Sequence, residues 1–223
     1  MRPTAVRTLA AAASTALLLG PARASAQLIT GPLVADAAGD FVTGYAGPRN
    51  GDMDVLGANV FFDGSSFRFV SRHAGAIGTT AGALHVWGVN RGQGTARFGA
   101  LAPGVLFDLV VVLNPNAGGT SMVNDLIAGT STVLPVGAVS FSGSDLSAVV
   151  SAALLPTLTG GFARSAYTAN LWPRVGAGNT AISDFAPDNS NLAVAVVPEP
   201  GTAALLLPAV GALAAFGRRR RTR

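Results

Sequence analysis

The sequence predicts an all-β body: a single β-sandwich, jelly-roll-like, with one short helix, set between two apolar end segments. Three observations lead there. Short stretches rich in Val, Phe, Leu and Trp alternate apolar and polar residues at a period near two. Turn signals built from Gly, Asn and Asp separate those stretches. Charged residues make up only 12% of the 223, and the body contains neither Lys nor Glu, so the usual exposed helix formers are missing.

The elements follow in order. Residues 54–63 carry Val, Leu and Phe at strand density. Residues 65–73 set Phe67 and Phe69 against Arg68, and residues 83–90 set Leu84 and Val86 against His85 and Trp87. Residues 105–113 form a longer apolar run suited to a central strand. Further strands are expected at 130–136, 138–142, 167–173 and 192–197. Asp145 is placed to cap the one short helix, running through Leu146, Val149, Val150 and Leu154 and stopped by Pro156. Turns fall at Asp63-Gly64, at 90–92, at 114–119 and at 142–145. Spaced short strands of this kind read as a sandwich or barrel.

The two ends read as addresses. Arg2 and Arg7 precede an apolar run over 9–20, and the small residues Ala24 and Ala26 stand just before Gln27. That is the layout of a secretory signal peptide, residues 1–26, helical at its apolar centre and cut before Gln27 by signal peptidase after the secretion translocon. The passenger then spans 27–196. The far end, 197–223, has three parts: Val197, Pro198, Glu199 and Pro200; an apolar helix over 201–217; and Arg218, Arg219, Arg220, Arg221 and Arg223. Its apolar centre, the fifteen residues 202–216, reaches about 23 Å as a helix, short of a hydrocarbon core of about 30 Å. Snorkelling arginines can close that gap. The arginine cluster acts as a stop-transfer signal and stays cytoplasmic, which holds the chain transiently in the inner membrane.

Taken together, Val-Pro-Glu-Pro, a short apolar helix and a terminal arginine cluster resemble the PEP-CTERM sorting signal of Gram-negative bacteria. The resemblance implies a substrate of an exosortase, a membrane transpeptidase that removes the tail and passes the protein to the cell surface or extracellular exopolysaccharide matrix. Within the passenger, Asp36 to Asp40, Gly51 to Val55 and Phe61 to Gly64 resemble the early acidic loop and strand of extracellular carbohydrate-binding and DOMON-type sandwiches. No binding residue is carried over from that likeness.

The formal net charge of +4 belongs to the ends. The passenger holds seven arginines and ten aspartates, a net of −3. A nucleic-acid partner is therefore not expected, since phosphate binding needs clustered cations on the working domain. Zero cysteine excludes disulfides, thiol catalysis and Cys-ligated metals. Two histidines, His73 and His85, fall one short of a catalytic zinc set. Nucleophile-elbow, P-loop and dinucleotide motifs are absent, so no catalytic residue is named.

The leading expectation is a non-enzymatic structural or adhesive domain of the surface or matrix. The rivals are a carbohydrate-binding module and a secreted hydrolase. No cofactor is required, but Asn50, Asp52 and Asp54 offer oxygens at alternating positions, as calcium needs, with Asp36, Asp40 or Asp63 as further ligands. A second oxygen-rich run covers 184–191. The competing reading is that these residues make turns by bonding their own backbone. Trp87 and Trp172 are likewise open between stacking on sugar rings and filling the core.

Overall fold

The computed structural model describes residues 31–197. The expected signal peptide with Ala24, Ala26 and Gln27, the triplet Pro198, Glu199 and Pro200, the expected apolar helix and the arginine cluster lie outside the described residues. In chain order the strands are β1 (Val34–Ala35), β2 (Val55–Phe62), β3 (Ser66–His73), β4 (Ala83–Asn90), β5 (Thr95–Ala96), β6 (Leu106–Phe107) and β7 (Leu109–Leu113). They continue with β8 (Met122–Asp125), β9 (Thr130–Val133), β10 (Val139–Ser142), β11 (Asp145–Ser151), β12 (Thr168–Val175), β13 (Leu192–Ala193) and β14 (Ala195–Val196).

Local chemistry sets the first hairpin. Asp63 Oδ1 accepts the N–H groups of Ser65 and Ser66 at 2.8 and 2.7 Å, an Asx turn that reverses the chain between β2 and β3. One sheet has the order β1-β2-β3-β11-β10, and β14 also joins β2. The second has the order β13-β12-β4-β7-β8-β9, with β5 and β6 as a separate ribbon. Named strands pair antiparallel except β14, which runs parallel to β2. The edge of β2 is shared: β1 pairs Val34 with Ala58, and β14 pairs Val196 with Phe62.

The core lies between the sheets. Phe67 and Phe69 of β3 face Trp87 of β4 and Tyr167, with Phe69 and Trp87 rings 5.4 Å apart and Phe67 and Tyr167 rings 5.7 Å apart. A second apolar layer covers the outer face of the other sheet, where Val86 and Trp172 pack on Phe98, Phe107, Ile182 and Phe185. Strand β4 is therefore buried on both faces, which is why its Leu, Val and Trp do not alternate with charge.

The helix expected after Asp145 is not there. Residues 145–151 are strand β11, followed by a single 3₁₀ turn at Ala152–Leu154. Leu146, Ala148 and Val150 are buried at a period of two, while Val149 is exposed. The seven-residue register with β3 outweighs the local cap, and Asp145 pairs with Arg72 of β3 at 2.8 Å instead. The 105–113 strand is also broken: Asp108 interrupts it between β6 and β7.

Asp108 interrupts it because it holds Arg91. The Arg91 side chain is fully buried at the end of β4. Its Nε donates to Asp108 Oδ1 at 2.7 Å, and Nη1 and Nη2 donate to the two oxygens of Asp125 at 2.8 Å each. Asp108 Oδ2 also accepts the Arg91 and Gln93 N–H groups. The Arg91 hydrogen bonds hold the Asp125 carboxyl below the usual carboxylate range. Breaking such a buried set from one side leaves uncompensated charge. Arg91→Met should therefore cost about 3–5 kcal/mol in urea unfolding, whereas Arg72→Met at the exposed pair should leave the midpoint almost unmoved. Equal shifts for the two variants would show that the buried cluster carries no special weight.

Candidate metal centre

At one end of the sandwich, three separate chain segments bring carboxylates together. The first is the turn after β1. The Asp36 N–H donates to Leu56 O at 3.1 Å, extending the β1–β2 pairing to the residue that carries the carboxylate. Gly39, at φ +79°, turns the chain so that Asp40 follows closely. The second segment is the 3₁₀ turn Gly51–Met53, which ends at Asp54 just before β2. The third runs from Ser183 to Asp188. Val42 N–H donates to Ser183 O at 2.8 Å, which lays this segment beside the first.

One ligand oxygen each from Asp36, Asp40 and Asp184 lies within 4.8 Å of the others. Asp184 is buried. Its Oδ2 accepts the Val55 N–H at 2.8 Å and its Oδ1 accepts the Phe185 N–H at 2.7 Å. Asp54 is 7% exposed, and its Oδ2 accepts the Gly39 N–H at 2.9 Å, inside the loop that carries Asp36 and Asp40. Three buried oxygens, Asp36 Oδ2, Asp40 Oδ1 and Asp54 Oδ1, take no hydrogen bond from the described protein. An unmade hydrogen bond at a buried acceptor costs about 1–3 kcal/mol, so three in one place ask for a partner.

The electrostatics agree with the geometry. Burial pushes the Asp36 carboxyl up to about 8, helped by the charges of Asp184, Asp40, Asp188 and Asp54. Burial likewise raises Asp184 to about 7, with Asp40 and Asp54 adding to it. Asp40 is raised by burial and by Asp188 and Asp54, against a backbone hydrogen bond that lowers it. Without a cation the group relieves its own repulsion by keeping protons. An all-carboxylate set is hard-ligand chemistry, suited to calcium or magnesium rather than zinc or copper.

The sequence candidates divide. Asp54 borders this cluster, holding the Gly39 N–H and acting on its three carboxylates, but its oxygens are not part of the close set. Asn50 and Asp52 are not: Asn50 Nδ2 donates to Thr80 Oγ1 at 3.0 Å, and buried Asp52 accepts both the N–H and hydroxyl of Thr80. They close a junction where the Gly51 and Gly75 backbones touch. Asp63 is spent on its turn. Trp87 is fully buried and Trp172 is 3% exposed, so neither offers a free ring face to a sugar. His73 and His85 do meet, with rings 4.7 Å apart, but both are sealed in. Burial lowers both, His85 to about 4, which keeps them neutral. Among the described residues, no third ligand completes a zinc set with them.

Residues 196–221 match the model of the PEP-CTERM protein-sorting motif. That motif implies export, processing by exosortase, a membrane transpeptidase, and a surface or extracellular destination. No curated protein and no solved structure matches the chain. Among the described residues no helix is long and apolar enough to cross a membrane.

The raised carboxyls give a signed pH dependence. The folded state keeps the Asp36 proton where the unfolded chain has lost it, so that contribution is full below the ordinary value of 3.8 and is lost as pH rises through about 8. In chelator, the full chain in mild detergent should lose stability between about pH 7 and 8, above the ordinary histidine value of 6.5. Asp36→Asn should flatten that slope. A wild-type curve that is flat or rises over this interval would contradict the clustering.

Proposed function

We propose that the chain is the precursor of an exosortase-sorted surface or extracellular-matrix protein whose β domain is structural or adhesive rather than catalytic. In this reading the leader takes it through the secretion translocon to signal peptidase. The C-terminal segment then holds it briefly in the inner membrane for exosortase, and the body joins the exopolysaccharide-containing matrix. The sorting motif supports the route.

One observation supports the adhesive part. Strand β9 ends one sheet and β10 ends the other, and the chain between them is continuous. Residues 130–142 contain no charged side chain. Val133, Val136 and Phe141 stand exposed along this stretch. Proteins that must stay monomeric protect free strand edges with charge, proline or a covering segment. An uncharged open edge favours strand addition from a neighbour.

A second reading, carbohydrate binding, draws on a groove of about 470 Å³ over the outer sheet. It is lined by Phe98, Phe107, Val110 and Trp172, with Asn124 and Arg174 among its polar residues. Polysaccharide pull-down with Phe107→Ala would favour that reading if binding is present and falls in the variant.

Two outcomes are expected. Deleting residues 198–223 should abolish the processing shift in mass and move the protein out of the surface fraction. If mass and location stay unchanged, the sorting route is wrong. Val133→Lys with Phe141→Lys should leave thermal stability nearly intact and reduce retention in the matrix fraction. Undiminished retention would remove the adhesive role.

A further inference from the structure

We propose that Asp36, Asp40 and Asp184, with Asp54 buried beside them, bind one calcium ion, which locks the first described segment of the chain to the 183–188 segment at the start of β2. The carboxylate cluster does not stand alone as the reason. Asp54 is more than nine-tenths buried, its Oδ2 is fixed by the Gly39 N–H, and its Oδ1 has no partner among the described residues. Gly39 belongs to the loop that carries Asp36 and Asp40, so this orphan oxygen lies against that loop, next to the three-oxygen set, and its carboxylate acts on all three members. Asp36 Oδ2 and Asp40 Oδ1 are orphaned with it.

The spacing admits calcium. Calcium takes oxygens at about 2.3–2.6 Å, so ligands on opposite sides of it lie roughly 4.6–5.2 Å apart. Oxygens of Asp36, Asp40 and Asp184 fall within a 4.8 Å span, before any closure on an ion. Magnesium, at about 2.0–2.1 Å, needs a tighter and more regular shell. The two backbone N–H bonds on Asp184 leave each of its oxygens a free lone pair, and they fix its orientation as a supporting shell does. Asp188, exposed at the rim, adds negative charge without closing the site.

The ion would act as a cross-link. It joins residues 36–40 to 184 in a chain without cysteine, where no disulfide can do so. Extracellular calcium modules bind with Kd of about 10⁻⁴–10⁻³ M. A site in that range fills outside the cell and stays largely free of calcium in the cytosol, so the lock would set after export.

The test is isothermal calorimetry and thermal unfolding of the full chain in mild detergent, with calcium chloride, magnesium chloride and chelator as arms. The expected result is one calcium per chain with Kd below about 1 mM, a Tm raised by several degrees over chelator, and a clearly smaller response to magnesium. Asp184→Asn should weaken calcium at least roughly tenfold. Because that variant removes a buried anchor and could unfold the chain, Asp40→Asn, at the half-buried position, serves as the second variant and should weaken calcium while keeping the fold. No heat and no Tm shift at millimolar calcium would overturn the proposal. So would equal binding of magnesium, or unchanged calcium affinity in folded Asp40→Asn.

Discussion

The acidic end of the sandwich depends on one hydrogen bond, from the Val55 N–H to Asp184 Oδ2, made across 129 residues of sequence. Asp184 sits on a segment that belongs to the second sheet, since Ala186 exchanges backbone hydrogen bonds with Leu171 of β12. Val55 opens β2 of the first sheet. The bond therefore fastens sheet to sheet at the point where the strands begin. Neighbours reinforce it: the Ser183 hydroxyl donates to Met53 O at 2.7 Å, and Ser183 O accepts the Val42 N–H. Only with that fastening in place do Asp36, Asp40 and Asp54 find themselves around the same carboxylate.

The placing of charge follows a simple division. Of the ten aspartates in the body, Asp108, Asp125 and Asp145 are paired with arginine. Asp52 and Asp63 spend their oxygens on N–H and hydroxyl donors in local junctions. The remaining five, Asp36, Asp40, Asp54, Asp184 and Asp188, act on one another at one end. The net of −3 is thus not spread over the surface. It is concentrated where the chain also leaves acceptors unsatisfied. At the other clamp, Arg91 makes three side-chain hydrogen bonds to two carboxylates and a fourth to Pro156 O, which is how a buried charge is made tolerable.

How far the sequence could be read depended on whether the deciding contact was local. Strands β2, β3, β4, β9, β10 and β12 lie where the alternation and turn residues place them, because both signals act within a few residues. The β11 segment misled, since Asp145 followed by Leu146, Val149 and Val150 satisfies a helical spacing as well as a strand. Only the pairing with β3, 73 residues away, decides between them. The metal centre shows the same limit. Asp52 and Asp54 are two apart in sequence, yet Asp52 turns to Thr80 and Asp54 to Gly39. The two acidic runs read as separate candidates, one around Asp54 and one from Asp184, come together at one end of the sandwich. Arg91 sat in what reads as an ordinary Asn-Arg-Gly turn, and nothing in those three residues signals that the guanidinium is the most enclosed cation of the body.

The same strand that anchors the acidic end also receives the first and last strands of the described body. β1 and β14 take opposite ends of one edge of β2, so the first and last parts of the described body leave the fold from neighbouring positions. The final bond of that edge runs from the Val197 N–H to Phe62 O at 2.9 Å. The next residue is Pro198, which has no N–H to extend the ladder. The last pairing of the described body therefore falls immediately before the Pro-Glu-Pro triplet. An enzyme that acted at that triplet would work beside a paired edge that ends at Val197. A body whose first segment is locked to β2 would present that edge as a fixed platform; a body whose edge is loose would let the last strand peel back.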